Sequence, residues 1–142
     1  MRRAVLAAVI VIWIGLILGC TGAARHLFDV PGEFSLLKTD YRDHALFHRN
    51  GGFLGGHVVG IAFDERFILI ERDVCEQHHE RRRPEHRLTG VIEFWIVEIK
   101  TAKKHGPFTE EQFDAARKRL GVSDELELES PREVEKRILR EQ

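Results

Sequence analysis

The chain has few of the residues on which cross-links and common nucleophiles depend. It contains two cysteines, Cys20 and Cys75, and three serines, Ser35, Ser123 and Ser130. Cys20 is assigned a different role below, which leaves Cys75 without a disulfide partner in its own chain. Cys75 is therefore interpreted as a buried apolar residue or a free thiol. None of the serines lies in a Gly-x-Ser-x-Gly sequence, which argues against a serine hydrolase.

Other familiar motifs are also missing. The glycine-rich segment 50–56 lacks the Gly-Lys-Ser/Thr ending of a phosphate-binding loop, so it is interpreted as an ordinary loop. His79-Glu80 is followed by Arg83 where a metalloprotease requires its second histidine. The net charge of −1 gives no support to nucleic-acid binding. We therefore expect no enzyme activity, no cofactor and no nucleic-acid partner.

The N-terminal segment is the most informative part of the sequence. Arg2 and Arg3 precede a mostly apolar, uncharged stretch at 4–18, which ends at Gly19 and Cys20. A short basic region, an apolar region and a small residue before the junction are typical of an export signal. The pattern resembles the signal of bacterial lipoproteins, in which a peptidase cleaves before the cysteine and that cysteine then carries acyl chains. The resemblance implies lipid attachment at Cys20.

An uncleaved transmembrane helix is the alternative. No charged residue occurs from 4 to 24, and roughly 20 apolar residues suffice to cross a bilayer core. Against a span, Gly19, Thr21 and Gly22 dilute its C-terminal end. Under either interpretation Arg2 and Arg3 stay in the cytoplasm and the rest of the chain crosses. We expect a bacterial cell-envelope protein with its domain on the non-cytoplasmic side.

The remaining chain is predicted to form one domain. Residues 1–19 are assigned to the signal, 20–25 to a tether, 26–122 to an α+β domain and 123–142 to a charged, helical C-terminal tail. With 43% hydrophobic residues and nine phenylalanines, the composition favours a folded chain. The predicted fold is a small antiparallel sheet of about five to six strands, packed with one helix from the C-terminal half, plus the N-terminal signal or anchor helix.

Several short segments carry the strand prediction. Those segments are 26–30, 34–39, 44–48, a hairpin of 58–63 with 67–70, the strand 91–99, and a short return at 104–106. In 91–99 both alternating faces are apolar, with Ile92, Phe94 and Ile96 on one and Val91, Trp95, Val97 and Ile99 on the other. Because a solvated sheet face alternates with polar residues, we expect the central strands to be covered on both sides. Residues 73–90 are predicted to be a long charged connection.

Two helices are predicted after the strands. Thr109 and Gln112 fit a capping box, Phe113, Ala116 and Leu120 form one apolar stripe, and Gly121 fits the position after the helix. A second helix is predicted to begin at Ser130-Pro131. Its apolar positions are Val134, Ile138 and Leu139, so we expect it to be exposed, frayed or weakly docked.

Five segments of the chain resemble a family of small uncharacterised bacterial lipoproteins over roughly residues 27–122. These segments are 28–34, 63–68, 93–97, 106–109 and 117–122. The resemblance implies an envelope location and a compact α+β domain. It supplies no activity and no catalytic residues.

One candidate binding segment lies within 75–87. Cys75, His78, His79 and His86 are ligand types for Zn or Cu, but three arginines at 81–83 oppose a cation. Those arginines are themselves a candidate anion site, although residues 71–87 hold five acidic residues against five arginines and a self-paired solvated loop is the simpler interpretation.

The leading functional hypothesis from the sequence is a non-catalytic interaction or structural module attached to a membrane. Its envelope or cell-wall partner is not specified by the sequence. The alternative is a metal- or anion-binding envelope protein that uses the segment 75–87.

Overall fold

A computed structural model of the chain describes residues 25–38, 44–54, 57–76 and 87–142. Phe53, Cys75, Glu76, Arg87 and Leu88 are described by their backbone alone. The elements within these residues are β1 (Arg25–Val30), β2 (Phe34–Lys38), β3 (His44–His48), β4 (Phe53–Leu54), β5 (His57–Phe63), β6 (Phe67–Glu76), β7 (Arg87–Glu98), β8 (Lys103–Phe108), α1 (Glu110–Leu120) and α2 (Pro131–Arg140).

The strands form two antiparallel sheets. Sheet A has the order β1-β2-β3-β4 and sheet B the order β5-β6-β7-β8. The predicted α+β class is confirmed, although the strands are divided between two sheets and α2 packs against β5 as a second helix of the fold. The predicted N-terminal signal or anchor helix lies outside the described residues.

Sheet B is the middle layer of the fold. One face packs against sheet A, where a core forms around buried side chains that include Leu36, Leu46, Ile68, Ile70 and Val97. The other face packs against α1, where a second core contains side chains that include Phe67, Leu69, Ile96, Phe113 and Ala116. Because successive residues of a strand point to opposite faces, β6 and β7 supply both cores. The expected two-sided burial of the central strands is confirmed here.

Local sequence accounts for α1. The Thr109 side chain accepts a hydrogen bond from the Gln112 N–H, and the Gln112 side chain accepts one from the Thr109 N–H, which completes the predicted capping box. Phe113 and Ala116 are buried against sheet B, as the apolar stripe predicts. Gly121 ends the helix with φ of 69°, a left-handed conformation in which glycine has no Cβ penalty.

Helix α2 is more firmly docked than its sequence indicates. Ser130 caps it and Pro131 occupies the first turn, as predicted. Val134, however, is 0% exposed in the core between the sheets, and Ile138 packs against that core. Just before the helix, Glu129 exchanges two backbone hydrogen bonds with Ile61 of β5. The fold therefore extends past residue 122 into the segment expected to be a tail.

Two expectations for loops are wrong. The glycine-rich segment contains β4, which pairs with β3. The connection expected at 73–90 is strand at both ends, because β6 continues to Glu76 and β7 begins at Arg87. These strand ends mix charged residues with Val74, Leu88, Thr89 and Gly90, so they lack the regular apolar alternation by which a strand is recognised in sequence.

The strands of the two sheets end at the same two ends of the domain. At one end, called the turn end, the turns at 31–33, 49–52, 64–66 and 99–102 lie together; for example, the Ile99 N–H donates to the Arg66 carbonyl at 2.9 Å. At the opposite end β1 begins, and the His44 ring of sheet A lies 6.5 Å from the His57 ring of sheet B. Beyond this second end β6 and β7 continue as a pair.

Candidate interaction surface at the hairpin end

The projecting part of the β6–β7 pair is the candidate site, and we call it the hairpin end. It consists of residues 73–76 of β6 and 87–92 of β7. Cys75, one of the candidate metal ligands, lies within it, where its backbone pairs with that of Leu88. Cys20, for which the sequence predicts lipid attachment, and the candidate ligands His78, His79 and His86 lie outside the described residues. The metal or anion site at 75–87 therefore stays a prediction.

A β-bulge shapes the hairpin end. The strand register shifts between Asp73 and Cys75, so that residues 89–91 lie opposite Val74. The Thr89 hydroxyl donates to the Val74 carbonyl at 2.7 Å, and the Gly90 N–H donates to the Asp73 carboxylate at 3.0 Å. Gly90 has φ of 74°, a conformation that L side chains adopt at a cost. Bulges of this kind bend a strand and re-aim its side chains.

Two aliphatic side chains are exposed on this bent strand. Val91 is 56% exposed and Ile92 is 39% exposed, and within the described residues only Leu139 shares their class of exposed large hydrophobics. The sequence predicts that both faces of this strand are covered. That prediction is wrong for the part of β7 that contains Val91 and Ile92. Neither sheet A nor α1 extends far enough to cover them. Adjacent exposed apolar residues are a common feature of interaction surfaces.

A polar cluster lies at the base of the hairpin end. Arg72 donates from Nε and Nη2 to one carboxylate oxygen of Glu93, at 3.0 and 2.8 Å. The same guanidinium lies 5.2 Å from the centre of the Trp95 ring. Arg72 and Glu93 are direct cross-strand partners and are both largely buried, so this pair strengthens the β6–β7 ladder where the core ends.

A second candidate is a shallow depression of about 550 Å³ on the outer face of sheet A. His26 Nε2 lies 2.8 Å from Asp29 Oδ1, and the Ser35 hydroxyl donates to the same oxygen at 2.9 Å. These hydrogen bonds, chiefly that from His26, lower the pKa of Asp29 below its ordinary value. In a catalytic triad the histidine stands between serine and aspartate and takes the serine proton. Here the aspartate stands in the middle, so the arrangement does not activate Ser35 as a nucleophile.

A third polar cluster locks the β7–β8 turn. His105 Nε2 lies 2.7 Å from Glu98 Oε1, and the Thr101 hydroxyl donates to Glu98 Oε2 at 3.1 Å. The hydrogen bond with His105, and after it that with Thr101, lower the pKa of Glu98. The residues lie at the turn end, on the side of the domain away from the hairpin end. These hydrogen bonds hold the turn in place rather than form a pocket, and we call them the turn lock.

Two further properties concern only the residues that the structure describes. No three histidine, cysteine, aspartate or glutamate side chains among them converge as metal ligands. Neither helix in this part of the chain has the length and apolar character that a membrane span needs. The segment 4–24, for which the sequence left a lipid anchor and a transmembrane helix open, lies outside the described residues.

Comparison with known proteins gives a family but no activity. Residues 31–135 match DUF3997, which is described as a protein of unknown function. No curated protein and no solved structure matches the chain. The matched region runs from the β1–β2 turn into α2, and so includes sheet B, strands β2, β3 and β4 of sheet A, α1 and the hairpin end. Because the match covers most of the chain, the protein belongs to the DUF3997 family.

Proposed function

We propose that the protein is a lipoprotein of the bacterial cell envelope, anchored through acyl chains on Cys20, and that its domain is a non-catalytic interaction module on the non-cytoplasmic side. The proposal rests on the short distance in sequence between Cys20 and the first strand. The first strand begins at Arg25, only five residues after Cys20. The chain thus has the order expected of a lipid-anchored protein. The proposed signal comes first, the cysteine at its cleavage site follows, and the folded domain begins directly afterwards.

The physical basis of the anchor is acyl-chain burial. Each methylene buried in a bilayer contributes about 0.8 kcal/mol, so that two or three acyl chains hold a protein where a single chain binds reversibly. An anchor of this kind needs no apolar helix in the folded domain. The domain is then held at the membrane surface and is free to present its own surfaces to envelope components.

The serine hydroxyls support a non-catalytic role. Ser35 donates to Asp29, Ser123 accepts from the Glu125 N–H at 3.2 Å, and Ser130 accepts from the Glu133 N–H at 3.4 Å. Each hydroxyl therefore has a local structural partner, and among the described residues none pairs with a histidine base. The exposed hairpin end, in contrast, is the kind of surface through which an interaction module binds.

Labelling with palmitate tests the anchor. Cells that express the wild type, Cys20→Ala or Cys75→Ala are grown with labelled palmitate and separated into soluble and membrane fractions. We expect labelled, membrane-bound wild type and Cys75→Ala, and unlabelled Cys20→Ala. Cys75→Ala is the matched control, because it removes the other thiol of the chain. Equal labelling of wild type and Cys20→Ala would refute lipid attachment at Cys20.

A further inference from the structure

The depression on the outer face of sheet A, which we call the outer depression, takes its layout from the strand register. Asp29 pairs with Ser35, and Ser35 pairs with Phe47. Because neighbouring strands lie about 4.8 Å apart, Asp29 and Phe47 stand about 10 Å apart across the sheet. Toward the turn end, the Arg49 N–H donates to the Glu33 carbonyl at 3.0 Å. All five residues line the depression, whose volume of about 550 Å³ is that of a small-molecule site.

The floor of the outer depression is partly apolar. Leu37 and Phe47 both line it, and both are half-buried, so each leaves part of its apolar surface in contact with solvent. Leu37 lies two residues after Ser35 and therefore on the same face of β2. An aliphatic and an aromatic side chain thus form a flat surface on which the C–H groups of a ligand can pack.

Asp29 is a fixed hydrogen-bond acceptor at the β1 side of this floor. Its Oδ1 lies 2.8 Å from His26 Nε2 and accepts from the Ser35 hydroxyl at 2.9 Å, so two neighbours hold the carboxylate in one orientation. Its Oδ2 makes no hydrogen bond within the described residues, although the side chain is 80% exposed. An acceptor that is already oriented loses less conformational entropy when a ligand donates to it.

Arg49 supplies donors at the turn-end side of the outer depression. Its Nη1 lies 3.6 Å from Glu33 Oε1, and its side chain is 78% exposed. A guanidinium has five N–H donors, so this loose ion pair leaves most of them available to a ligand. Exposed ion pairs of this kind contribute little stability, which means that a ligand can share or replace the contact at low cost.

The combination of these groups selects a class of ligand. A cationic ligand would meet the Arg49 guanidinium, and an anionic ligand would meet the carboxylates of Asp29 and Glu33. A hydroxyl group both donates and accepts hydrogen bonds, so it can pair with either kind of side chain. The C–H faces of a sugar ring are apolar and can pack on Leu37 and Phe47. The lining is therefore complementary to an uncharged ligand rich in hydroxyls, that is, an oligosaccharide.

We propose that the outer depression binds an oligosaccharide segment of the bacterial cell wall, with sugar hydroxyls that donate to Asp29 and accept from Arg49 while a sugar ring packs on Phe47. The distance of about 10 Å from Asp29 to Phe47 accommodates a disaccharide. This inference rests on the proposed function, because the envelope location brings the domain within reach of cell-wall glycan. It also names the partner class of the interaction module.

Isothermal titration calorimetry tests the sugar site. The full-length protein is purified from membranes in a zwitterionic detergent, so that no sugar headgroup competes for the site. It is titrated with chitotetraose, the β-1,4-linked tetramer of N-acetylglucosamine, and with the zwitterionic peptide tetra-alanine. The variants are Asp29→Asn and Arg49→Gln, and the matched control is Asp124→Asn, which changes an exposed aspartate outside the depression. Urea unfolding of each variant confirms that it is folded.

We expect the wild type and Asp124→Asn to bind chitotetraose equally, and Asp29→Asn and Arg49→Gln each to bind it about tenfold more weakly, because each loses hydrogen bonds that involve a charged group. Absence of binding to the wild type, or equal binding to all four proteins, would overturn the proposal. Binding of tetra-alanine in place of chitotetraose would also overturn it, and would indicate a peptide partner.

Palmitate labelling of the same preparations separates the failure of this inference from the failure of the anchor. An acylated protein that does not bind chitotetraose refutes the sugar site alone. A protein that binds chitotetraose through Asp29 but carries no acyl chain refutes the anchor alone.

Discussion

Individual side chains in this domain are used mainly to hold turns and strand ends. Glu98 is a clear example, because it accepts hydrogen bonds from His105 and Thr101 across the β7–β8 turn. Asp29 and Asp73 act similarly, the first within sheet A and the second at the bulge. Carboxylates in such positions make the stability of the fold depend on pH. Their role is structural rather than catalytic.

The Glu98 carboxylate yields a prediction with a definite sign. Its pKa in the folded state is lowered from the ordinary value of 4.5, so the carboxylate contributes stability that is fully present above that value. The contribution is lost as the pH falls through the lower folded-state pKa. We expect Glu98→Gln to be less stable than the wild type at pH 7 and to lose less stability on acidification below pH 4.5, as measured by urea unfolding at several pH values.

The control for this experiment is Glu125→Gln, at an exposed position where the described residues supply no pair of side-chain donors like that at Glu98. It should follow the pH profile of the wild type. If Glu98→Gln showed the same acid-induced loss of stability as the wild type, the turn lock would not operate as the hydrogen bonds indicate.

Among the secondary-structure elements, α2 differs most from what its sequence predicts. Val134 is fully buried between the sheets, whereas Leu139 on the same helix is 66% exposed. Truncation of a buried aliphatic side chain costs its transfer free energy and leaves a cavity. We expect Val134→Ala to lower the free energy of unfolding by about 2 kcal/mol and Leu139→Ala by less than about 0.5 kcal/mol, as measured by urea unfolding.

The two variants are matched because both truncate an aliphatic residue to alanine on one helix. Similar small effects would mean that α2 is the loosely attached tail that its composition indicates. A large effect of Val134→Ala alone would show that the fold includes α2 in solution.

The sequence predicts those elements whose signals are local. The capping box of α1 is complete within four residues, and the β5–β6 hairpin is bounded by a short polar turn, so both could be read directly. Two-sided burial of β7 also follows from its own apolar faces near Trp95 and Ile96. These features depend on residues that are neighbours in the chain.

The remaining features depend on contacts between distant segments. Burial of Val134 requires the gap between two sheets, and one valine in a charged helix gives no indication of it. Exposure of Val91 and Ile92 depends on where sheet A and α1 end, which the sequence of β7 does not contain. The candidate site was therefore missed, although the sequence singled out Cys75 and the charged segment beside it for their ligand chemistry.

For the whole molecule, we propose a lipid anchor joined to a folded domain. In this proposal acyl chains on Cys20 supply membrane affinity, and the short tether holds the start of β1 near the bilayer. Palmitate labelling tests the anchor, and unfolding tests the domain. The anchor is the central claim, because the proposed envelope location of the domain depends on it.

The most direct test of that claim is the intact mass of the protein purified from membranes. We predict a chain that begins at Cys20, lacks residues 1–19, and carries the added mass of a diacylglycerol group, with or without a third acyl chain. A full-length chain that begins at Met1 and has an unmodified Cys20 would contradict it.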